Sequence, residues 1–315
     1  MVKITVVTPC LNQIDTIETA ILSVLDQGYE NLEFIVIDGG STDGTLDIIK
    51  KYESRLSFWC SEPDEGRYDA VNKGFARSTG EVMACLNAND FYLPGALGTV
   101  SSVFETLPVD WLTSLAHVAA DRGGSCIDVH RIAGFSREAF LDGAHFPESG
   151  RRYLGSIRFE STFWRRSLWD TSGPMNPGCR FAGEYDLWAR FFRTCNWLYC
   201  SACPLASFRY SDPERRHSNY PEFLSEGQRA LENLRRDLNW RPRRIREAAL
   251  KLGLANIPYI RFLPYRFYKW LYTLYQYEAR LVVRRKRGIP TPSWEIRSYP
   301  FLSWALGDVT PHYAD

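Results

Sequence analysis

The chain predicts an α/β fold built on an open, mostly parallel sheet, and three observations carry that prediction. Short apolar runs alternate regularly with amphipathic helices through the first third of the sequence. The runs are nearly unbroken in apolar character, as expected of strands covered on both faces. They end in Thr, Asn or Asp, side chains suited to the crevice above the carboxyl ends of such a sheet.

Ile4-Thr5-Val6-Val7 is the first strand, expected to stop at Thr8-Pro9 because proline cannot continue a central strand. Asp15 with Glu18 three positions on predicts a capped helix, its Ile17, Ala20, Ile21, Val24 and Leu25 on one face and Gly28 at its end. Leu32 to Ile37 is a second strand that delivers Asp38 to its carboxyl end. A glycine-rich turn follows, after which Thr42 or Asp43 can cap a helix whose Leu46, Ile49 and Tyr52 face the sheet. Leu56 to Cys60 makes the third strand. The apolar run Val82-Met83-Ala84-Cys85 leads into Leu86-Asn87-Ala88-Asn89-Asp90, which brings hard oxygen ligands to the sheet rim where a divalent cation and a diphosphate can meet them.

The pattern drops Thr8, Asn12, Asp38, Asp64, Asp69 and Asp90 into one crevice, with Asn72 a helical turn after Asp69. Carboxylates clustered without paired lysines repel one another unless a cation or a hydrogen-bonding ligand joins them. A metal–nucleotide complex meets that need. Helix capping is the competing reading for Asp43, and a solvated turn for Asp64.

These stretches together resemble family-2 glycosyltransferases of the nucleotide-sugar-binding fold called GT-A. The residues that carry the resemblance are Val7-Thr8-Pro9-Cys10-Leu11-Asn12, Ile35 through Gly44, Ser61-Glu62-Pro63-Asp64-Glu65-Gly66, Asp69 through Gly74, and Leu86 to Asp90. A second block, Glu160 to Arg166 followed by Ala182-Gly183-Glu184-Tyr185-Asp186-Leu187-Trp188, resembles the acceptor half of that fold. The resemblance implies that Thr8, Pro9 and Asn12 line a nucleotide pocket and that Asp38 accepts a hydrogen bond from the base. Asp64, Asp69, Asn72 and Asn89 join the nucleotide-binding set. Asp90 is implied to hold Mg²⁺ or Mn²⁺; where the family usually carries an acid just before it, this chain has the uncharged Asn89. Glu184 stands where the family's general base is most often aspartate, with Asp186 as rival or supporting acid.

The implied reaction is an inverting single displacement, from a nucleotide-sugar donor, UDP-sugar first, to a glycan or lipid-linked acceptor. One carboxylate takes the acceptor proton while the cation neutralises the departing diphosphate. His217, beside Arg215 and Arg216, is implied to fold over that diphosphate and join the metal site. Two other readings compete. One is a nucleotide-sugar-binding protein without catalysis, which Asn89 makes worth testing. The other is a nucleotidyltransferase, which needs a glycine-rich basic loop that residues 8 to 15 lack.

Composition is ordinary for a globular protein, at 45% hydrophobic and 24% charged, and excludes a largely disordered chain. The opening residues lead straight into a strand, so the reading is cytoplasmic, with reduced cysteines. Cys200 and Cys203 have zinc-like spacing but lack a second pair. The near-zero net charge hides a division: from Arg241 to Arg287 there are 13 Lys and Arg against 2 Asp and Glu. Aromatics from Tyr259 to Tyr277 interleave with Arg261, Arg266 and Lys269, and Arg284-Arg285-Lys286-Arg287 closes the run. This suits peripheral association with an anionic membrane face, or a helical cap packed on the catalytic domain; no nucleic-acid motif accompanies it. The expected domains are a catalytic unit, 1–240, and a basic aromatic helical extension, 241–315.

Overall fold

A computed structural model describes residues 1–132, 134–146, 155–195, 198–209, 219–241 and the short strand 313–314. Strand β1 (Ile4–Cys10) lies centrally, paired in parallel with β2 (Leu32–Asp38) on one side and β4 (Val82–Cys85) on the other. β3 (Phe58–Ser61) extends the sheet beyond β2. Past β4 come β9 (Phe163–Arg165), antiparallel to both neighbours, then β6 (Trp111–Ser114), β10 (Tyr199–Ser201) and β12 (Tyr313–Ala314). A second sheet has the order β5 (Phe91–Tyr92), β11 (Ala206–Arg209), β7 (Ala116–Ala120), β8 (Cys126–Arg131).

Helices α1 (Ile17–Leu25), α2 (Thr45–Lys51), α3 (Arg67–Arg77) and α4 (Ala96–Thr106) follow the early strands. The short α5 (Arg137–Leu141) and α6 (Arg166–Ser172) precede α7 (Gly183–Thr194) and α8 (Tyr220–Asp237). Strand side chains alternate between two cores. Val7, Ile37, Met83 and Cys85 pack with residues of α3 and α7, while Ile4, Val6, Val36 and Ala84 pack with α1 and α4. Covering both faces is what favours parallel strands of this apolar character. On the first face α3 lies so close that a Cβ at Gly74 would stand 2.4 Å from Val7 Cγ1. The same core holds Trp111, Trp164 and Trp188, whose rings lie within 5.6–5.9 Å along β6, β9 and α7.

Four local expectations change. β1 does not stop at Pro9; it runs to Cys10 with Pro9 opposite Ile37. Val7 O accepts from Leu86 on the β4 side and Cys10 O accepts from Gly39 on the β2 side. By alternation the missing N–H of Pro9 therefore faces the β4 side, beyond the last β1–β4 pair, Val7 with Cys85, where no ladder bond is required. The predicted capping box of α1 does not form: Asp15 gives way to Thr16 at the cap, and Glu18 Oε1 accepts Lys51 Nζ and the Tyr52 hydroxyl, both at 2.6 Å. A cation and a phenol at the end of α2 outcompete one backbone N–H for that carboxylate. The third strand starts at Phe58, after a 3₁₀ turn over Glu53–Arg55. At α2 the cap position is held by Gly44 in a left-handed conformation rather than by Thr42 or Asp43, although Asp43 Oδ1 accepts the Thr45 amide and hydroxyl from one residue earlier.

One acid orders the approach to β4. Glu33, only 8% exposed, accepts from Thr5 Oγ1 at 2.6 Å, Thr79 N at 2.6 Å, Thr79 Oγ1 at 2.7 Å and Lys3 Nζ at 3.0 Å. Burial opposes its ionisation, but those donors outweigh it and hold the carboxyl at about 2. All eight cysteines are free thiols, and Cys200 lies buried on β10. Among the described residues no helix is long and apolar enough to cross a membrane. The basic aromatic run, 259–287, lies outside the described residues.

Candidate active site

Asp90 sits at the end of the loop that leaves β4, with no solvent exposure. Its Oδ2 accepts from Asn87 Nδ2 at 3.0 Å and its Oδ1 from the Arg209 amide at 3.1 Å, so the loop and β11 together fix the carboxylate. Glu160, on a 3₁₀ turn (Phe159–Ser161) packed on β4 and β11, is 5% exposed. Burial pushes Asp90 up to about 6 and Glu160 up to about 7, and Asp90's charge adds to the rise at Glu160. The two carboxyls therefore titrate as a coupled pair rather than independently. Glu160 also feels the charge of Glu184, and the Cys85 thiol at the end of β4 feels both Asp90 and Glu184. Asp90 and Glu160 thus act on each other directly, and Glu184 lies within electrostatic range of Glu160 and of the end of β4.

Glu184 lies in the first turn of α7, 24% exposed. Its Oε2 accepts from the Tyr68 hydroxyl and from Arg67 Nη2 at 3.0 Å, both at the start of α3. Burial raises the Tyr68 phenol well above its ordinary range, so it remains a donor. Asp186 points elsewhere: its Oδ2 pairs with Arg190 Nε at 2.9 Å, and Arg190 in turn donates to the Ser172 and Gly173 carbonyls. That arrangement ties α7 to the end of α6.

The implied nucleotide-binding residues divide. Thr8 is fully buried and its Oγ1 has no partner among the described residues, while Pro9 continues β1 beside it. Asn12, in a left-handed conformation at φ 53°, accepts the Thr42 amide through Oδ1 at 2.9 Å and forms a rim with Ser41. Asn89 is half-buried. Asp38, by contrast, is buried with both oxygens occupied by donors from Gly40, Ser41, Ser61 and Cys10. Burial opposes its ionisation, yet the Ser41 and Ser61 bonds hold it below the ordinary aspartate range. In this state it orders the glycine-rich turn rather than offering an oxygen to a base.

Asp64 Oδ1 accepts the Gly66 amide at 2.9 Å, and its Oδ2 would be 2.6 Å from a Cβ at Gly39, so Gly39 admits it to the end of β2. Asp69 is not an unpaired acid, because Lys73 one turn on lies 3.2 Å away. The Asn72 amide is used up by Met175, accepting its N–H at 2.8 Å and donating to its carbonyl at 2.9 Å. His217 lies outside the described residues.

Several site residues had no role in the sequence reading. Glu160, Arg67 and Tyr68 are the main ones; a lone acid between Phe159 and an apolar strand was the available signal for Glu160. Arg158 and Arg209 also border the acids, each stacked on an aromatic ring, Phe208 and Phe91, at 4.9 and 5.3 Å.

Among the described residues no three His, Cys, Asp or Glu side chains could hold a divalent cation by themselves. A cage made of protein alone does not fit. A cation shared with a diphosphate does, because Mg²⁺ needs only one or two carboxylates when phosphate oxygens complete its shell. Arg158 offsets part of the charge of Asp90 and Glu160, yet burial still raises both carboxyls, and Asn87 Oδ1 beside Asp90 is a buried oxygen without a partner among the described residues.

The mostly parallel sheet with acids at its rim is the GT-A transferase architecture. It is similar to the TarS 1–349 structure of S. aureus, solved in complex with UDP-GlcNAc, with a TM-score of 0.59 over 74% of this chain and 66% of that one, at 16% identity. Residues 5–118 match the family model described as glycosyl transferase family 2. An uncharacterized glycosyltransferase of Mycobacterium tuberculosis is 39% identical over 88 residues, 28% of this chain and 34% of that protein. A putative teichuronic acid biosynthesis glycosyltransferase of Bacillus subtilis is 39% identical over 90 residues, 28% of this chain and 36% of that protein. The match thus spans about a third of these two relatives. A PGL/p-HBAD biosynthesis glycosyltransferase of Mycobacterium bovis is 28% identical over 194 residues, 59% of this chain and 68% of that protein.

Proposed function

We propose that the chain is an inverting glycosyltransferase that moves a sugar from a nucleotide-sugar donor to a glycan or lipid-linked acceptor. The observation that carries this reading is the buried pair Asp90 and Glu160 past the end of β4, with Glu184 in electrostatic range, on a chain whose residues 5–118 match the family 2 model. Glu184, partly exposed at a helix start, takes the proton of the acceptor hydroxyl. The acceptor oxygen forms its bond to the anomeric carbon as the carbon–phosphate-oxygen bond breaks, and that electron pair leaves with the diphosphate. Inversion follows from attack on the opposite face.

Asp90 would hold Mg²⁺ or Mn²⁺ with the donor's diphosphate, and the ion would neutralise charge on the departing group. Asn87 and the Arg209 amide orient the Asp90 carboxylate. Thr8, Pro9 and Asn12 line the nucleoside side. UDP-sugars are the first donors to test, since TarS, which shares the fold, is described with UDP-GlcNAc. The relatives named for teichuronic acid and PGL/p-HBAD biosynthesis support an acceptor of the cell envelope. The basic aromatic run from Tyr259 to Arg287 would hold the enzyme at the cytoplasmic face of an anionic membrane, beside a lipid-linked acceptor.

A thermal-shift screen of nucleotide sugars with and without Mn²⁺, followed by hydrolysis of whichever one stabilises the protein, tests the reading. One class of nucleotide sugar should raise the melting temperature and release its nucleoside diphosphate. Stabilisation without release would favour the binding protein, and no stabilisation by any donor would overturn the proposal.

A further inference from the structure

The base proposed above is held in an unusual way. Tyr68 is 3% exposed, and its hydroxyl accepts the Gly183 N–H at 2.9 Å while donating to Glu184 Oε2. It thus satisfies one of the unpaired N–H groups at the start of α7 and grips the carboxylate one residue further on. Arg67 Nη2 donates to the same Tyr68 hydroxyl and to the same Glu184 oxygen, with its guanidinium 4.6 Å over the Tyr68 ring. The approach depends on glycine: a Cβ at position 183 would lie 2.5 Å from the Tyr68 ring. From the other side, Glu226 of α8 accepts the amides of Arg180, Phe181 and Ala182 at 2.8–2.9 Å, so the segment entering α7 is fixed from two elements.

Every donor to the Glu184 carboxylate among the described residues falls on Oε2. We infer that Tyr68 and Arg67 are positioning residues that divide the labour of that carboxylate: Oε2 is anchored, and Oε1 is left to receive the acceptor's proton. This rests on the reading of Glu184 as base. In the transfer step the acceptor O–H proton passes to Oε1 as the oxygen bonds to the anomeric carbon, and the bond electrons of the leaving group depart with the nucleoside diphosphate. A carboxylate rotating freely about its side chain would present a random oxygen at a random angle. One held through Oε2 keeps Oε1 within reach of the proton, the condition general-base catalysis requires.

The test is a double-mutant cycle on hydrolysis of the UDP-sugar that gives the largest thermal shift, with water as acceptor. Tyr68→Phe keeps the buried ring and removes only the hydroxyl. It should lower kcat at least tenfold with the donor KM unchanged. In a Glu184→Gln background the same change should cost nothing further, because an anchor has no effect when its base is gone. A merely structural tyrosine would instead cost the same in both backgrounds. Arg67→Gln provides the second, exposed-side variant should Tyr68→Phe fail to fold, and the same non-additivity is expected of it.

Loss of activity in Glu184→Gln with normal activity in Tyr68→Phe and Arg67→Gln would overturn the anchoring inference alone. Full activity in Glu184→Gln would overturn the base assignment on which it stands.

Discussion

Glu33→Gln is the sharpest test of how the strand leading to Asp90 is set in register. Glu33 binds the Thr79–Gly80 turn that launches β4, accepting from the Thr79 amide and hydroxyl and from Gly80 N at 3.2 Å, while also holding Thr5 of β1. Its folded value, about 2 against an ordinary 4.5, corresponds to about 3 kcal/mol of stabilisation of the native state. Because the folded value is depressed, that contribution is fully present above the unfolded value. It fades as pH falls from about 4.5 toward about 2. The amide keeps the shape but loses the charge and turns an NH₂ toward donors, so it cannot replace the carboxylate. Urea unfolding followed by tryptophan fluorescence at pH 7 should place the variant about 3 kcal/mol below wild type, with the gap narrowing in acid. A gap under about 0.5 kcal/mol, the range of ordinary surface changes, or one constant with pH, would refute the role given to this carboxylate.

Other consequences are open to direct measurement. Asp90→Ala should abolish Mn²⁺-dependent binding of UDP in calorimetric titration, and Asn89→Asp should tighten it by supplying the charge the loop lacks; unchanged affinity in the Asp90 variant would remove that residue from the site. Asp186→Asn should cost less activity than Glu184→Gln, since Asp186 is engaged with Arg190, and its main effect should be a lower melting temperature. Changing Arg284, Arg285, Lys286 and Arg287 to Ser should release the protein from anionic vesicles in cosedimentation, as each basic residue near such a surface contributes about 1 kcal/mol before screening. Equal and negligible binding of wild type to anionic and neutral vesicles would mean the extension is not a membrane anchor.

The strand–helix alternation was readable because its signal is local: apolar runs such as Val82–Cys85 and the helical face of Ile17, Ala20, Ile21 and Val24 are buried as their spacing predicts. Asp90 was readable for the same reason, lying a few residues past a buried strand. Its buried neighbour Glu160 lies far along the chain, brought near only because β9 inserts antiparallel between β4 and β6. No periodicity announces such an insertion. Asp69 and Asn72 were placed in the crevice by helical spacing, but spacing does not say which partners a polar side chain finds. Lys73 on the same helix and the Met175 backbone took them. Pro9 misled in the opposite sense, because a rule about central strands depends on whether the neighbour is still present at that level.

The central claim is that Asp90 and Glu184 do separate work at one site, one on the leaving diphosphate and one on the incoming hydroxyl. The most direct measurement compares donor binding and single-turnover transfer to water in Glu184→Gln. The account predicts that the variant binds UDP and the UDP-sugar as wild type does, with Mn²⁺, while its transfer rate falls by about a hundredfold or more. Wild-type turnover in that variant, or loss of donor binding together with turnover, would contradict it.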